Sequence, residues 1–239
     1  MKILLIIPAY NEEASIKRVY DTINKYNKTA KQKYDVLVIN DGSYDRTQEI
    51  LEQNQIPHIR LLQNLGIGGA VQTGYKYALE NDYDIAVQFD GDGQHDVNYV
   101  ENICKPIIKK EADMVIGSRF VDKRKNGFQS SKMRRLGISI ISKSIWWKTK
   151  KKIYDTTSGF RAVNKKVIAE FAINYPSEYP EPISTVNILS KKYQVKEIPV
   201  KMLERQSGTS SIGNIKSCYY MINVTLSIIL SKGCDLDEH

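Results

Sequence analysis

The sequence has few cysteines and no long apolar run, and both absences argue against whole classes of protein. The three cysteines, Cys104, Cys218 and Cys234, are widely spaced, with no C-x-x-C pair and no histidines at metal-ligand spacing. This argues against a disulfide scaffold or a zinc site and predicts reduced thiols in the cytoplasm. No segment reaches the ~18 consecutive apolar residues of a membrane span. The nearest, CYYMINVTLSIIL, is shorter and contains asparagine, threonine and serine.

The N-terminus lacks the pattern of a signal peptide. Its apolar run, MKILLIIPAY, breaks at Pro8 and continues into Asn11, Glu12 and Glu13 without a small-residue cleavage site, so it predicts a first β-strand. Repeats, low-complexity tracts and linkers are also absent. With 239 residues, 41% hydrophobic and 26% charged, the chain has the composition of one globular domain. Its net charge of +8 suits nucleic acid, anionic lipid or a phosphate-rich substrate.

Apolar runs of strand length alternate with longer amphipathic stretches from the first residue. Strands are predicted at Ile3–Pro8, Val36–Asn40, His58–Leu62, Ile85–Phe89 and Met114–Gly117. Helices are predicted at Glu12–Tyr26, Asp45–Gln53, Gly68–Glu80 and Val97–Lys109. The less regular second half predicts a loop at Tyr154–Arg161, a helix from Lys165, a proline-rich turn over 175–182, another helix and a strand at Tyr193–Pro199. Repeated strand and helix predict an α/β fold whose mostly parallel sheet is covered by helices on both faces.

Polar and glycine-rich loops follow the predicted strands, where the ligands of such sheets bind. The loop after the fourth strand places Asp90 and Asp92 one residue apart. Two carboxylates at one strand end repel each other, so a divalent cation is their natural partner. Oxygen ligands favour a hard ion, Mg²⁺ or Mn²⁺, and an ion held by so few protein groups keeps positions open for substrate phosphates.

Two other binding sites compete with this interpretation. Asp90, Asp92, Gln94 and Glu101 have the spacing of a calcium-binding EF-hand, but a histidine stands where that loop requires glycine, and the preceding element is a strand. Gly66-x-Gly68 after a strand resembles part of a dinucleotide fingerprint, yet its third glycine is replaced by valine. These glycines either allow a tight turn to pass close to a neighbour or let the backbone approach a ligand.

Seven motifs occur in an order and at intervals that resemble the family 2 glycosyltransferases of GT-A fold. They are Pro8-Ala9-Tyr10-Asn11-Glu12, Asn40-Asp41-Gly42-Ser43-x-Asp45, Asn64-x-Gly66-x-Gly68, Asp90-Gly91-Asp92-Gly93-Gln94-His95, Gly117-Ser118-Arg119, Asp155-Thr156-Thr157-Ser158-Gly159-Phe160-Arg161 and Glu204-Arg205-x-x-Gly208-x-Ser210. The last two are similar to the dolichyl-phosphate mannose synthase branch. The resemblance implies a single GT-A catalytic domain over residues 1–212. Residues 213–239 would form an amphipathic helix or tail packed on the domain or on a membrane surface.

The resemblance also implies a site for a nucleoside-diphosphate sugar. The residues expected to bind this donor are Pro8, Tyr10, Glu12, Asp41, Gly68, Asp90, Gln94 and Arg205. Asp41 would accept a hydrogen bond from the nucleobase, and Asp90 and Asp92 would hold the metal against the diphosphate. Asp92, Arg119 and Glu181 would be the catalytic residues. Fixed cations and arginines suit the negative charge that accumulates on a leaving diphosphate.

The general base of an inverting transfer is expected at the start of the helix before the last core strand, which is the position of Glu181. The usual Glu-Asp pair reads Pro180-Glu181 here, and relatives with Glu-Pro-Glu have a second acid where this chain has Ile183. Glu178 is the alternative base, and an ordinary acidic helix start is the structural alternative. A lipid phosphate acceptor, already ionised, would need no base.

The stretch RRLGISIISKSIWWKTKKK, residues 134–152, alternates apolar and basic positions and contains two tryptophans. It predicts either peripheral contact with an anionic membrane, at the inner face of the cell membrane, or a core helix with a basic flank. The expected acceptor is a polyprenyl phosphate, a lipid-linked glycan or a cell-surface polysaccharide. A homo-oligomer is compatible with the sequence.

Two other functions remain as alternatives. An NAD-dependent oxidoreductase would use Gly66 and Gly68, and a nucleic-acid-binding module would use the basic stretch over 123–152. An acidic edge of the sheet would repel a phosphate backbone, and no recognised module surrounds the basic stretch. No nucleic acid partner is therefore expected.

Overall fold

A computed structural model describes residues 1–121, 132–203 and 214–230. Its seven strands are β1 (Ile3–Ala9), β2 (Asp35–Asn40), β3 (His58–Arg60), β4 (Ile85–Gln88), β5 (Met114–Ser118), β6 (Arg161–Asn164) and β7 (Val195–Pro199). Its α-helices are α1 (Ile16–Thr29), α2 (Thr47–Gln53), α3 (Gly66–Glu80), α4 (Val100–Ile108), α5 (Lys132–Thr149), α6 (Lys165–Ile173), α7 (Pro180–Ser190) and α8 (Asn214–Leu230).

The strands form one sheet in the order β3-β2-β1-β4-β6-β5-β7. All neighbouring pairs are parallel except those of β6, which runs antiparallel to both β4 and β5. The α/β sandwich with a mostly parallel sheet is therefore confirmed, with one antiparallel strand that the sequence did not predict. β6 has only four residues, two of them polar, and so lacks the apolar run by which the other strands are recognised.

Helices cover both faces of the sheet, and the alternation of side chains in β1 shows why its sequence is continuously apolar. Leu4 and Ile6 belong to the core under α3 and the later helices, whereas Leu5 and Ile7 belong to the core under α1, α2 and α4. Because successive strand residues point to opposite faces, a strand buried on both sides has no polar position.

The boundaries differ from the predictions mainly at α1. The helix was predicted from Glu12 but begins at Ile16, since residues 12–15 form a turn in which the Glu12 carbonyl accepts from the backbone N–H groups of Ser15 and Ile16. This turn leaves the carboxylate of Glu12 on the loop after β1. In the part of the chain that the structure describes, no helix combines the length and apolarity needed to cross a membrane.

Candidate active site

The loops after β1 and β2 are joined by reciprocal hydrogen bonds. Asn11, at a φ of 56°, donates its backbone N–H to the Ser43 hydroxyl at 3.0 Å and accepts from the Tyr44 N–H at 2.9 Å. Asparagine tolerates this left-handed conformation better than most residues. Tyr10 is 42% exposed and lies edge-on to Tyr44, with 6.2 Å between ring centroids. The two loops thus present Tyr10 at the rim of the carboxyl edge.

Asp41 lies deeper in the same edge. Its backbone N–H donates to the carbonyl of Ala9 at 2.9 Å, and its carboxylate accepts from the N–H of Leu65 at 2.7 Å, at the start of α3. Burial raises the pKa of Asp41, while the N–H groups of Leu65 and Gly66 oppose that rise. The Asp41 carboxylate is a buried hydrogen-bond acceptor next to the loop that carries Tyr10. Such a group could accept a hydrogen bond from a nucleobase N–H. The structure brings together Pro8, Tyr10 and Asp41, three of the residues expected from the sequence to bind the nucleotide-sugar donor.

The turn 90–92 reaches the same place from β4. A Cβ added to Gly91 would lie 3.1 Å from the carbonyl oxygen of Pro8, so the glycine lets the turn pass close against the end of β1. The Asp92 carboxylate accepts from the N–H of Gln94 at 3.0 Å, and the Gln94 carbonyl accepts from Leu203 N–H at 2.9 Å. Both aspartates therefore adjoin the loop that carries Tyr10.

His95 orients Asp90, a role that sequence reasoning missed. Its Nδ1 accepts from the backbone N–H of Asp90 at 2.9 Å, which leaves the proton on Nε2, 3.3 Å from an Asp90 carboxylate oxygen. The ring is 5% exposed and stacks on Phe160 at 4.6 Å. Burial lowers its pKa to about 4, although the charge of Asp92 raises it. A neutral imidazole thus orients Asp90, and the only sequence signal was its place in the Asp90–His95 motif.

The donor set at this turn fits a hard divalent cation with open positions. Among the residues that the structure describes, no group of three or more histidine, cysteine or acidic side chains gathers as a complete metal site. Asp90 and Asp92 would be the protein's carboxylate ligands, and phosphate oxygens would have to complete the shell. This is the arrangement typical of a metal bound together with its substrate, and unlike the closed cage of a calcium loop.

Arg119 takes part in a buried ion pair. Its Nε and Nη2 donate to the two carboxylate oxygens of Asp155 at 2.8 and 2.7 Å, and its backbone N–H donates to the same carboxylate at 2.9 Å. Burial lowers the arginine pKa, but the hydrogen bond and charge of Asp155 outweigh that effect and the pKa is raised. Arg119 also interacts electrostatically with Asp90 and Glu181. It therefore lies at the site while being held by a partner that the sequence did not identify.

Glu181 lies in the first turn of α7, after Tyr179 in the left-handed region at φ 49°. Burial raises the pKa of Glu181, whereas Arg161 and a hydrogen bond with Gln88 lower it. Arg161 is 1% exposed and lies directly opposite Gln88 across the β4–β6 pair. Its Nη1 donates to the hydroxyl of Ser184 at 3.0 Å, one turn beyond Glu181.

The buried guanidinium of Arg161 supplies positive charge behind Glu181. Within the described residues, Arg161 Nη2 and the hydroxyl of Tyr75 have no hydrogen-bond partner, although both are buried. Both groups interact electrostatically with Glu181. A cation buried beside a carboxylate favours the ionised carboxylate, so this arrangement suits a proton acceptor or an anion-orienting group. Sequence reasoning placed Arg161 in a motif without giving it a role.

The remaining residues predicted for the site differ in whether the structure places them near it. Glu12 accepts from the Ser15 hydroxyl at 2.5 Å on the loop after β1. A Cβ at Gly68 would lie 2.3 Å from the carbonyl oxygen of Pro176, so close packing by itself requires glycine there. Arg205 lies outside the described residues, and within them Glu178 makes no side-chain hydrogen bond or ion pair with the site.

A model of the family described as glycosyl transferase family 2 matches residues 4–171. The UDP-N-acetylglucosamine–dolichyl-phosphate N-acetylglucosaminyltransferase of Methanococcus voltae is 31% identical, over 95% of this chain and 98% of its own. The undecaprenyl-phosphate mannosyltransferase of Micrococcus luteus is 28% identical, over 94% of this chain and 93% of its own.

One solved structure with the same fold is glucosyl-3-phosphoglycerate synthase of Mycobacterium tuberculosis, in complex with Mn²⁺, UDP-glucose and phosphoglyceric acid. It matches 95% of this chain and 79% of its own with a TM-score of 0.69 and 17% identity. At that identity the likeness establishes the fold alone.

Proposed function

The chain belongs to glycosyl transferase family 2 and has a GT-A fold, and from this premise we propose that it transfers a sugar from a nucleoside-diphosphate sugar to a polyprenyl phosphate. The observation that carries the proposal is the meeting of Tyr10, Asp41 and the turn 90–92 at the end of β1. The names of the relatives from Methanococcus voltae and Micrococcus luteus, which specify dolichyl and undecaprenyl phosphate, support the acceptor over a polysaccharide.

The nucleoside of the sugar donor would lie between exposed Tyr10 and buried Asp41 at the carboxyl edge of the sheet. Tyr10 offers an exposed ring for stacking, and Asp41 offers a buried carboxylate that can accept from a nucleobase N–H. Pro8, near the end of β1, and Glu12, on the loop after β1, lie on either side of Tyr10 in the chain. An oxidoreductase site at Gly66 and Gly68 is less well supported, since packing against Pro176 explains the glycine at 68 without a cofactor.

Asp90 and Asp92 would hold Mg²⁺ or Mn²⁺ against the donor's diphosphate. A bound divalent cation would supply positive charge to the departing diphosphate. His95 keeps Asp90 oriented through the hydrogen bonds described above, and Gln94 keeps Asp92 oriented through its backbone N–H. The Mn²⁺ in the Mycobacterium tuberculosis complex is consistent with this assignment.

The acceptor would enter from the side of α7. In the proposed inverting displacement an acceptor oxygen attacks the anomeric carbon opposite the leaving diphosphate, and Glu181 is the proposed base for an acceptor phosphate that still carries one proton, since a fully ionised phosphate needs none. The positive charge of Arg161 opposes the effect of burial, which raises the pKa of the Glu181 carboxyl. Arg119 and Arg205 are the proposed arginines for phosphate oxygens, with Arg119 fixed by Asp155. Sugar transfer to a polyprenyl phosphate would take place at the cytoplasmic face of a membrane.

The donor and the metal can be tested together by thermal unfolding in the presence of UDP-, GDP- and dTDP-sugars, each with and without Mn²⁺. We expect one donor to raise the midpoint of the wild type only when the metal is present, by mass action. Asp92→Asn should remove that shift while the fold persists. Asp21→Asn, an exposed carboxylate paired with Lys17 on α1, is the matched control and should keep the shift. Full transfer activity in Asp92→Asn would refute the proposed site.

A further inference from the structure

Helices α5 and α8 carry no acidic residue. Between Lys123 and Tyr154 the sequence contains eleven lysines and arginines and no aspartate or glutamate, and between Arg205 and Cys234 it contains no acidic residue either. Outside residues 123–154 the chain has 24 basic residues (35 minus eleven) and all 27 acidic ones. The stretch that contains α5 thus carries the protein's excess of positive charge, whereas α8 has one basic residue, Lys216, and is otherwise uncharged.

The two helices lie side by side and run in the same direction. A Cβ added to Gly137 would lie 1.9 Å from the sulfur of Met221, so the missing side chain allows close approach between the second turn of α5 and the middle of α8. About three turns further on, the Lys148 ammonium donates to the carbonyl of Ile228 at 2.8 Å. The carboxyl ends of α5 and α8 therefore lie together.

The inner and outer faces of α8 are both apolar. Val224 and Ile228 are buried in the core with Ile141 and Ile145 of α5. The outer residues form a stripe at helical spacing, with exposures of 60%, 49%, 47% and 75% at Ile222, Leu226, Ile229 and Leu230. A helix that packs on a domain by one face normally carries polar residues on the other, so this stripe needs a partner.

The end of α5 adds the groups that favour a lipid surface. Trp146 and Trp147 are 51% and 62% exposed, and Lys150, Lys151 and Lys152 follow them in exposed positions. The Lys150 ammonium lies 5.5 Å from the centre of the Trp146 ring. Indole rings prefer the interfacial zone of a bilayer, and lysines reach its anionic headgroups. A second copy of the chain is disfavoured as partner, because a two-fold contact would bring these like-charged ends together.

We propose that the carboxyl ends of α5 and α8 form a docking face for an anionic lipid bilayer. The docking face consists of Trp146, Trp147, Lys150, Lys151 and Lys152 on the α5 side, and of Leu226, Ile229 and Leu230 on the α8 side. It lies close to the site along the chain, since Asp155, which holds Arg119, is three residues beyond Lys152. That the docking face gives access to a polyprenyl phosphate rests on the proposed function. Binding of this face to a bilayer does not depend on that function.

Vesicle flotation with the full chain tests the docking. Wild-type protein should float with vesicles of phosphatidylcholine containing phosphatidylglycerol, and less with phosphatidylcholine alone or at high salt. Replacing Lys150, Lys151 and Lys152 by glutamine should weaken binding roughly five-fold per lysine, on the order of 100-fold together. Lys28→Gln/Lys31→Gln/Lys33→Gln, with the same change of charge on another exposed surface, should bind like the wild type. Equal losses in the two triple variants would overturn the assigned face.

A second pair of variants tests the exposed apolar stripe of α8. Leu226→Gln/Ile229→Gln should lose vesicle binding, whereas Leu62→Gln/Ile173→Gln, exposed elsewhere at 101% and 73%, should retain it. Circular dichroism should show the same helix content in all four variants. If the stripe variant instead converts a dimer to a monomer while the wild type ignores vesicles, the stripe covers a second copy and the inference fails.

An acceptor series separates this inference from the proposed function. The stripe and lysine variants should transfer sugar to a short, water-soluble prenyl phosphate at the wild-type rate and lose transfer only to a long polyprenyl phosphate in vesicles. Wild-type transfer to the soluble acceptor without vesicle binding would overturn the docking face and leave the function intact. Vesicle binding without transfer to any prenyl phosphate would overturn the function and leave the docking face intact.

Discussion

Replacing Asp155 by asparagine should destabilise the protein strongly. The Asp155 carboxylate is fully buried and accepts three N–H groups of Arg119 between 2.7 and 2.9 Å. Asparagine keeps the shape but removes the counter-charge and turns an amide N–H₂ toward the guanidinium. Removing one partner of a buried ion pair costs about 3–5 kcal/mol, because the remaining charge stays buried.

The cost is large against the ~5–15 kcal/mol by which a typical domain is stable. For a chain of this size each kcal/mol lowers the unfolding midpoint by about 2–4 °C, so we expect a decrease of roughly 6–20 °C. Differential scanning calorimetry and urea unfolding would measure it. Asp21→Asn, which breaks an exposed pair with Lys17, should change the midpoint by no more than about 2 °C.

The double variant Arg119→Met/Asp155→Leu separates the structural role of the pair from its part in catalysis. Replacing both charges by apolar groups should restore most of the stability lost in Asp155→Asn. Transfer activity should not return, because Arg119 is proposed to meet the donor's phosphates. An unchanged midpoint in Asp155→Asn would refute the energetic argument. Wild-type activity in a stable double variant would show that Arg119 serves the fold alone.

Three further predictions follow from the site. Gly68→Ala should destabilise the fold by about 1–3 kcal/mol in urea titrations, because its Cβ would overlap the carbonyl of Pro176; unchanged stability would mean that the loop yields. His95 has a folded-state pKa of about 4, below the ordinary value of 6.5, so the unfolded state takes up the proton first and stability is lost as the pH falls from 7 toward 4. The loss should be about 2 kcal/mol at pH 5 in metal-free protein, and a variant with His95→Asn that shows the same pH slope would contradict it. Since burial raises the pKa of Glu181, kcat should fall as the pH decreases through that raised value. Glu181→Gln should abolish that pH limb and lower kcat by roughly 100-fold or more, whereas activity within a few-fold of the wild type would show that the acceptor needs no base.

The sequence indicated much of the scaffold because the signals of a doubly covered sheet are local. Runs such as ILLIIPA are continuously apolar since both faces of β1 are buried, and the loops that follow the strands contain the residues named as donor and metal ligands. Parallel strands bring their carboxyl ends to one edge of the sheet, so the sequence alone predicts that Asp41 and Asp90 lie near each other. The assignment of ligands to those residues stays a prediction.

Contacts between distant parts of the chain were decided only by the tertiary structure. Two of the four residues of β6 are polar, so the strand lacks an apolar run, yet its pairing with β4 places Arg161 opposite Gln88 and close to Glu181. The pairing of Arg119 with Asp155 joins residues 36 positions apart.

The same division holds at the surface. The sequence showed that α5 is apolar and basic and that α8 is mostly apolar, but either side of α8 could have faced the core. Packing against α5 buries Val224 and Ile228 and leaves the stripe of Leu226 and Ile229 exposed. Periodicity determines which residues share a face of a helix, because side chains repeat every 3.6 residues. Which face is buried depends on the neighbours that the fold brings to it, and only the folded chain supplies them.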